Sequence, residues 1–489
     1  MIQTDMEMDT EKTIVAIELA SSKVSGVAGQ RQPDGSMKVL AYASVPSQSC
    51  IRYGAVYNLD RTANAIANVI TRLDAMLSTK IERVYIGYNA RTLRSMSCQV
   101  ERAFDEDTVI SQQIIDDMFS ECDMEEREGY LSLLLESQEY VVDGRHMPET
   151  DPMGVACRRI SGNYMKVLLG QQVAEYMAQC FGMASVQILD GFVSAVAQAD
   201  VILSDEDRQQ GCALVDYGAD TTTVSVYRGG MLRFLRVIPL GSSLITRDLV
   251  QILKIDEDQA ESLKCRYGLY NLKQENDPEA QILVGDRSFK LSEIGDIIGA
   301  RNEGIVRNIM ARIKDSGYED VLFAGLVLTG GGSRLQGLQQ VLTKLMPKMR
   351  VPRFVTQPDG FTWVEPSWNC NDGSQMGLLS VLTKGCENCC DMPLPKMDDI
   401  ERLTSENQDK VSMGSLFTFD GESAQEERDR QEQERLQAAR AEAEAQTAAS
   451  ADSQEKQENE KPQGGKKRKN SFMSFLKGIV EKGEEFLDE

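Results

Sequence analysis

The chain has 489 residues, enough for about three domain-sized units and sizeable cores. Its formal charge of −23 argues against general nucleic-acid binding, which needs a basic surface to neutralise phosphates. No apolar run is long enough for a membrane-spanning helix, and the acidic opening MIQTDMEMDTEK does not read as a signal peptide. The 11 scattered cysteines fit reduced thiols better than a disulfide framework.

Residues 14–46, IVAIELASSKVSGVAGQRQPDGSMKVLAYASVP, predict a strand, a turn at Ala20–Ser22, a second strand, a Pro33-Asp34-Gly35 turn and a third strand. A helix follows from about Arg61 to Leu77, with Ile66, Val69, Ile70, Leu73 and Leu77 on one face. From Ile81 to about Leu169 the pattern changes. Strand VYIGYN, acidic helix QQIIDDMFSECDM, strand SQEYVV, irregular HMPETDPMG and strand YMKVLLG read as an inserted α+β subdomain. Gln171–Phe181 predicts a helix, and SVQILDGFVSAVAQADVIL a strand and then a helix.

Cys212–Gly230 repeats the opening plan: strand Ala213–Tyr217, turn Gly218–Asp220, strand Thr221–Tyr227 and a Gly229-Gly230 turn, with MLRFLRVIP as a third strand. In register, Glu18 matches Asp216, Ala20 matches Gly218, and Ser22 matches Asp220. Two acid-led hairpins about 200 residues apart suggest a duplicated α/β domain gripping a phosphate between its halves. A mostly helical insertion is expected over Ser243–Asp320, after which strand LFAGLVLT returns to the core and the half closes near Gly385. From residue 391 to about 465 the composition turns to Glu, Gln, Ala and Ser, with no apolar face, and predicts a disordered linker.

Three elements carry chemistry. In the second hairpin, Gly218 permits close backbone approach to a phosphate, the turn amides and the Thr221 hydroxyl can donate to it, and Asp216 can hold magnesium, mainly through water. In GLVLTGGGSRLQGL an apolar strand runs into Gly330, Gly331 and Gly332, where the chain can pass flat against a planar or phosphorylated group before a new helix whose N-terminus favours anions. Neither a dinucleotide fingerprint nor a P-loop fits that spacing. In AESLKCRYG, Glu261 and Lys264 share one helical face. Cys386, Cys389 and Cys390 lack a second cysteine pair, so surface thiols are preferred to a zinc site.

The last residues form a separate device. Phe472, Phe475, Leu476, Ile479, Val480, Phe486 and Leu487 recur at helical spacing, behind the basic run Lys466, Lys467, Arg468 and Lys469. An amphipathic helix beyond a long linker reads as a membrane-surface or partner helix. Past Ser471 two lysines face five acids, so the first two turns should insert and the acidic end should stay in water. A linker of this length spans about 50 Å r.m.s..

Hairpin, hairpin, Glu-x-x-Lys helix and triple-glycine loop, in that order, resemble the actin-like ATPases. Over about residues 13–385 plus the extreme C-terminus, the chain is similar to the bacterial FtsA family, most closely in DRQQGCALVDYGADTTTVSVYRGGMLRFLRVIPLG, LKCRYG and GLVLTGGG. The resemblance implies an α/β, actin-like duplicated two-lobed ATPase fold with an inserted α+β subdomain, followed by the disordered linker and the amphipathic helix. The expected boundaries are 13–80 and 170–204 for the first lobe, 81–169 for its insertion, and 205–242 and 321–385 for the second lobe. The second insertion is 243–320, the linker 386–465 and the membrane-targeting segment 466–489.

The resemblance also implies ATP and Mg as cofactors. Phosphates would lie at Ser21, Ser22, Lys23 and Gly218, Ala219, Asp220, Thr221, with adenine beside Gly330–Gly332 and the adenosine flanked by Glu261 and Lys264. Glu18 and Asp216 would hold Mg, mainly through water. The family's usual Asp and Gly are replaced by Glu18 and Ala20, and the Gly-Gly-Gly of its second turn by Gly218-Ala219-Asp220. A longer acid and a negative charge beside the phosphates predict altered metal dependence and at most slow hydrolysis, with no catalytic base to name.

Implied partners are the FtsZ C-terminal peptide near Arg301 and Arg307, further copies of the chain in filaments, other division proteins and anionic inner-membrane lipids. The implied location is the cytoplasmic face of the cell membrane, peripherally, at the division site. A cytosolic pilus-assembly ATP-binding protein and a small-molecule kinase of the same superfamily are the alternatives, and neither has a use for the terminal helix.

Overall fold

The structure, a computed structural model, describes residues 12–146, 151–268, 280–350 and 352–393. Ile14–Leu19 is apolar at nearly every position and covered on both faces, as a central strand must be. It pairs antiparallel with Lys23–Arg31, which pairs antiparallel with Met37–Pro46. On its other side lie Arg83–Tyr88 and then Gln187–Val193, both parallel. The helix Leu59–Leu77, capped by the Asn58 side chain, buries Ile66, Val69, Ile70 and Leu73 on this sheet.

The second sheet repeats the order and sense of those five strands. Cys212–Tyr217 pairs antiparallel with Thr222–Arg228 and that strand with Met231–Ile238, while Gly325–Thr329 and Arg353–Phe354 follow in parallel on the opposite side. The long helix Leu291–Asp315 covers this sheet with Ile305, Val306, Ile309 and Ile313. The chain then returns to the first sheet, where Phe361–Trp363 adds a strand beside Met37–Pro46. This mixed α/β architecture has the internal repeat that the paired hairpins predicted.

Two helices exchange places between the sheets. Ser194–Ile202 leaves the first sheet yet buries Ala195 and Ala199 with Leu214 and Val327 of the second. Met376–Leu382 leaves the second half yet buries Leu378, Leu379, Val381 and Leu382 in the core of the first. They pack against each other where they pass.

Strand VYIGYN was expected inside the first insertion, but Arg83–Tyr88 lies in the first sheet, parallel to Ile14–Leu19. Its unbroken apolar run suits a strand covered on both faces. The inserted strands therefore start at Arg94. Arg94–Val109, Tyr130–Val142 and Ala156–Gly170 form an antiparallel ladder that extends the second sheet beyond Met231–Ile238. Helix Gln112–Met124 packs Met118 and Cys122 against Tyr140 and Tyr164. Fully buried Lys166 donates to the Glu125 carbonyl oxygen at 2.7 Å, so its ammonium satisfies the end of that helix.

The second insertion holds helices Ser243–Leu253 and Glu257–Tyr267 and the hairpin Gln281–Val284 with Arg287–Lys290. Two other expectations change. Cys390–Pro393 pairs with Thr79–Ile81, so residues 386–393 belong to the fold rather than to a linker. Cys389 is a core thiol, accepting from the Val15 N–H at 3.2 Å, and Cys390 is buried too; only Cys386 is exposed. No group of three or more potential metal ligands occurs among the described residues. The rest of the linker, the basic run Lys466–Lys469 and the terminal helix with Phe472, Phe475, Leu476, Ile479 and Val480 lie outside the described residues.

Arg301 also departs from expectation. Its guanidinium grips Asp248 in bidentate fashion, Nε to Oδ2 at 2.6 Å and Nη2 to Oδ1 at 3.0 Å, tying the long helix to Ser243–Leu253. Both side chains are largely covered, so Arg301 is a structural residue, not an open docking cation. Arg307 stays at the surface, paired with Glu303. Arg301→Ala strands a buried carboxylate and should destabilise the fold by about 3 kcal/mol or more. Denaturant titration, read as a lowered midpoint at unchanged slope, checks this.

Candidate functional site

The paired hairpins bring their acids together. Glu18 ends the first strand of one sheet and Asp216 the first strand of the other, and the charge of Asp216 acts directly on Glu18. Desolvation by the surrounding protein is the largest cause of the Glu18 shift and Asp216 the next; Lys23 pulls the other way, and the carboxyl rises to about 7. Asp216 is also raised, by burial, but accepts from Gln198 Nε2 at 2.8 Å, which favours its ionised form. Glu18 therefore keeps its proton in part near neutral pH, and the Gln198 contact works against the burial that lifts Asp216.

The chain approaches both acids with glycine. A Cβ on Gly377 would collide with Glu18 Oε1, and one on Gly330 with Asp216 Oδ1. Gly330 also has φ +84°, which a side chain would strain. Gln198 Oε1 is buried without a partner, as is the Thr329 hydroxyl on the strand beside Asp216. Two crowded carboxyls and an orphaned amide oxygen are hard oxygen donors. They fit a hydrated magnesium ion, which would relieve the repulsion that lifts Glu18.

The phosphate-side residues flank this pair. At the first turn, the Ser21 hydroxyl accepts from the Gly54 N–H at 3.1 Å and Ser22 is exposed. Lys23 Nζ donates to Ser374 Oγ at 3.1 Å, linking the first lobe to the turn before Met376–Leu382. At the second turn, Gly218 N–H donates to the Thr221 carbonyl at 2.9 Å. Asp220 does not leave an uncompensated charge at the turn, as its sequence position had predicted. It is nearly buried, accepts from the Ser243 hydroxyl, and pairs with Arg247 Nη2 at 3.1 Å.

On the far side, Lys264 is buried and its ammonium donates to Glu261 Oε2 at 2.7 Å, Thr246 Oγ1 at 3.1 Å and the Ser242 carbonyl at 3.4 Å. All three donors are occupied, so Lys264 fastens two helices, while the Glu261 carboxylate remains about half exposed. Coverage opposes ionisation of Glu261, but Lys264 and the Thr246 hydroxyl outweigh it and hold its pKa down. Gly268, which ends that helix, packs on Gln336 just past the triple-glycine loop.

The loop itself differs from expectation. Gly331–Arg334 forms a short 3-10 turn, with Ser333 Oγ donating back to the Gly330 carbonyl at 2.7 Å. The α-helix starts only at Leu338, after Gly337 at φ +84°. No α-helix N-terminus therefore stands at the glycines, and the loop offers flat backbone instead. Gly373, at φ +78°, packs its α-carbon against Gly330 and completes the floor.

Gln198, Arg247, Gly373, Ser374 and Gly377 were missed in the sequence. A single glutamine in the apolar run SAVAQADVI and the turn signal Asn371-Asp372-Gly373-Ser374 were the available clues.

The family described as "Cell division protein FtsA" matches residues 213–367. The protein of that name from Porphyromonas gingivalis is 26% identical over 396 residues, covering 78% of this chain and 80% of the relative. That from Neisseria meningitidis serogroup B is 27% identical over 376 residues, covering 71% and 88%. Among solved structures, the "PilM-PilN type IV pilus biogenesis complex" superposes with a TM-score of 0.56 at 15% identity, over 76% of this chain and 98% of that one, a likeness of fold alone.

A carboxyl raised from 4.5 to about 7 favours the fold fully below pH 4.5 and loses that contribution as pH rises through 7. Glu18→Gln should therefore be more stable than the parent at pH 8 by about 1–2 kcal/mol, a figure discounted for residual solvent access, and no more stable at pH 4. Melting curves of both proteins across that range, without magnesium or nucleotide, check it.

Proposed function

Because this chain belongs to the FtsA family of cell-division proteins, we propose that it is an ATP-binding, actin-like protein that polymerises at the cytoplasmic membrane and tethers FtsZ filaments there. The observation that carries the nucleotide reading is the Glu18–Asp216 pair, lodged between two glycine contacts with Gln198 Oε1 left over. Bound magnesium would supply positive charge shared between these carboxyls and the phosphates.

Ser21, Ser22, Lys23 and the 218–221 turn would hold the phosphates, Lys23 as a cation and the turn through backbone N–H groups. Ala219 and Asp220 would contribute backbone only, since the Asp220 carboxylate is committed to Arg247 and Ser243. Gly330, Gly331 and Gly332 would lie along the adenine, and Glu261 would accept from the ribose. No residue of this chain is nominated as a base for water attack. ATP therefore acts chiefly as a clamp that favours one arrangement of the halves and of subunit contacts, with slow hydrolysis at most.

Membrane attachment rests on the sequence of residues 466–489. Each buried Phe or Leu contributes roughly 1.5–3 kcal/mol before ordering costs, and each basic residue about 1 kcal/mol at an anionic surface. One such helix gives marginal, reversible binding, and a filament presenting many would hold by avidity. Among the described residues no helix is long and apolar enough to cross a membrane. An acidic FtsZ tail would dock on the second insertion, where Arg307 remains at the surface and Arg301 does not.

Two measurements test this. Asp216→Asn should weaken Mg–ATP binding at least tenfold by titration calorimetry and blunt its dependence on magnesium; unchanged affinity would remove the nucleotide reading. In liposome flotation with ATP, the intact chain should float on anionic vesicles and a chain ending at Asn470 should not. If neither floats, the terminal helix is a docking element and a cytosolic role replaces the tether.

A further inference from the structure

The inserted ladder and the second-lobe sheet meet at a single rung, where Arg236 stands directly opposite Arg94. Beside that rung the Leu235 N–H donates to Ser95 Oγ at 2.7 Å and the Val237 N–H to the Leu93 carbonyl at 3.4 Å, over a buried apolar layer of Leu93, Val167, Leu235 and Val237. Residues in register across antiparallel strands point to the same face with their Cβ atoms about 5 Å apart, and like charges there repel. A third cation, Arg312 on the long helix, is close enough for its charge to act on Arg236.

Among the described residues, Asp315 is the carboxylate whose charge acts on Arg236. Asp315 pairs with Arg312 at 3.0 Å. The Arg94 guanidinium lies 4.3 Å from the centre of the Tyr130 ring, and among the described residues neither Arg94 nor Arg236 has an ion pair. The Nε atoms of Arg236 and Arg312 are buried without a hydrogen-bond acceptor. Burial, then Arg94 and Arg312, push the Arg236 pKa below its ordinary value, whereas Asp315 and Tyr130 act the other way. Arginine does not escape such a position by losing its proton. In a chain of net charge −23, two excess positive charges at a seam of few hydrogen bonds are an unmet demand for an anion.

We propose that Arg94, Arg236 and Arg312 form a binding site for a phosphate group that bridges the inserted subdomain to the second lobe, separate from the Glu18–Asp216 site. Planar guanidinium forks from two facing strand positions and a helix within reach of their charge match the tetrahedral oxygens of a phosphate, each able to give two parallel N–H donors. Partial exposure of all three side chains leaves the group reachable from solvent. Binding there replaces repulsion across the rung with a shared counter-charge, so the seam should tighten when the site fills.

Hydrogen exchange on the full-length protein tests this, using inorganic pyrophosphate without nucleotide and, in parallel arms, vesicles rich in phosphatidic acid or made of phosphatidylcholine alone. Pyrophosphate should slow exchange about tenfold at the amides of 95–100 and 232–237. If phosphatidic acid vesicles do so and soluble pyrophosphate does not, the phosphate is that of a lipid headgroup. Arg236→Gln should abolish the protection, keep the thermal shift given by Mg–ATP, and melt no lower than the parent in phosphate-free buffer, since it removes repulsion. Arg94→Gln is the second variant and should behave alike. Protection that survives in both variants, or its absence in the parent with every phosphate source, overturns the proposal.

Discussion

Two carboxyls from equivalent positions of a repeated hairpin meet where the two sheets approach, and much of the surrounding chain is arranged around that meeting. An interior cannot hold two bare ionised carboxyls side by side without cost, so one keeps its proton or a cation joins them. Gln198 favours the ionised form of Asp216 by donating to it. Gly377 and Gly330 allow backbone to close on the acids where any side chain would collide. Gln198 and Gly377 sit on the two helices that cross between the cores, so the residues that set the charge state also set how the halves are packed. A ligand that changes the charge of the pair acts on the joint itself.

Departures from the family pattern find local compensation. Asp220 brings a negative charge to a turn where glycine is usual, and Arg247 with Ser243 supplies its counterpart from the next helix. The turn keeps its amides, because Asp220 is drawn to the side. Lys264, which the family resemblance offers as flanking the adenosine, is the bolt between helices Ser243–Leu253 and Glu257–Tyr267 and pairs with Glu261 as their spacing suggested. An ammonium with three acceptors already in place has little left for a nucleotide. Its partner Glu261 keeps the exposed edge.

What could be read from the sequence follows the range of the interactions. The hairpins were legible because alternation, turn glycines and their repetition are local, and Leu59–Leu77 was legible from its apolar face. Glu18 and Asp216 were legible as equivalents, though not as two carboxyls both raised by burial, since the chain that covers them and Gln198 come from elsewhere in the sequence. Arg83–Tyr88 was misplaced because its partner strand is some 70 residues earlier and nothing local names it. Arg301 looked like a surface cation on a helix until Asp248, 53 residues away, proved to hold it. The helix expected directly after the glycines was displaced by Ser333 folding back onto Gly330 and by the left-handed Gly337.

The inserted subdomain is attached to the two lobes by different means. Its chain enters from Arg83–Tyr88 and leaves into Gln171–Met183, whose Met177, Cys180 and Phe181 lie in the core of the first sheet. Its ladder also continues the second sheet, through one rung and two flanking hydrogen bonds, with Leu93, Val167 and Leu169 buried beside Leu232, Leu235 and Val237. Any rearrangement of the halves around the acid pair therefore loads the seam of Arg94 and Arg236. Charge governs both places, excess negative at the site and excess positive at the seam, so counter-ions of opposite sign would stiffen the same molecule at its two joints.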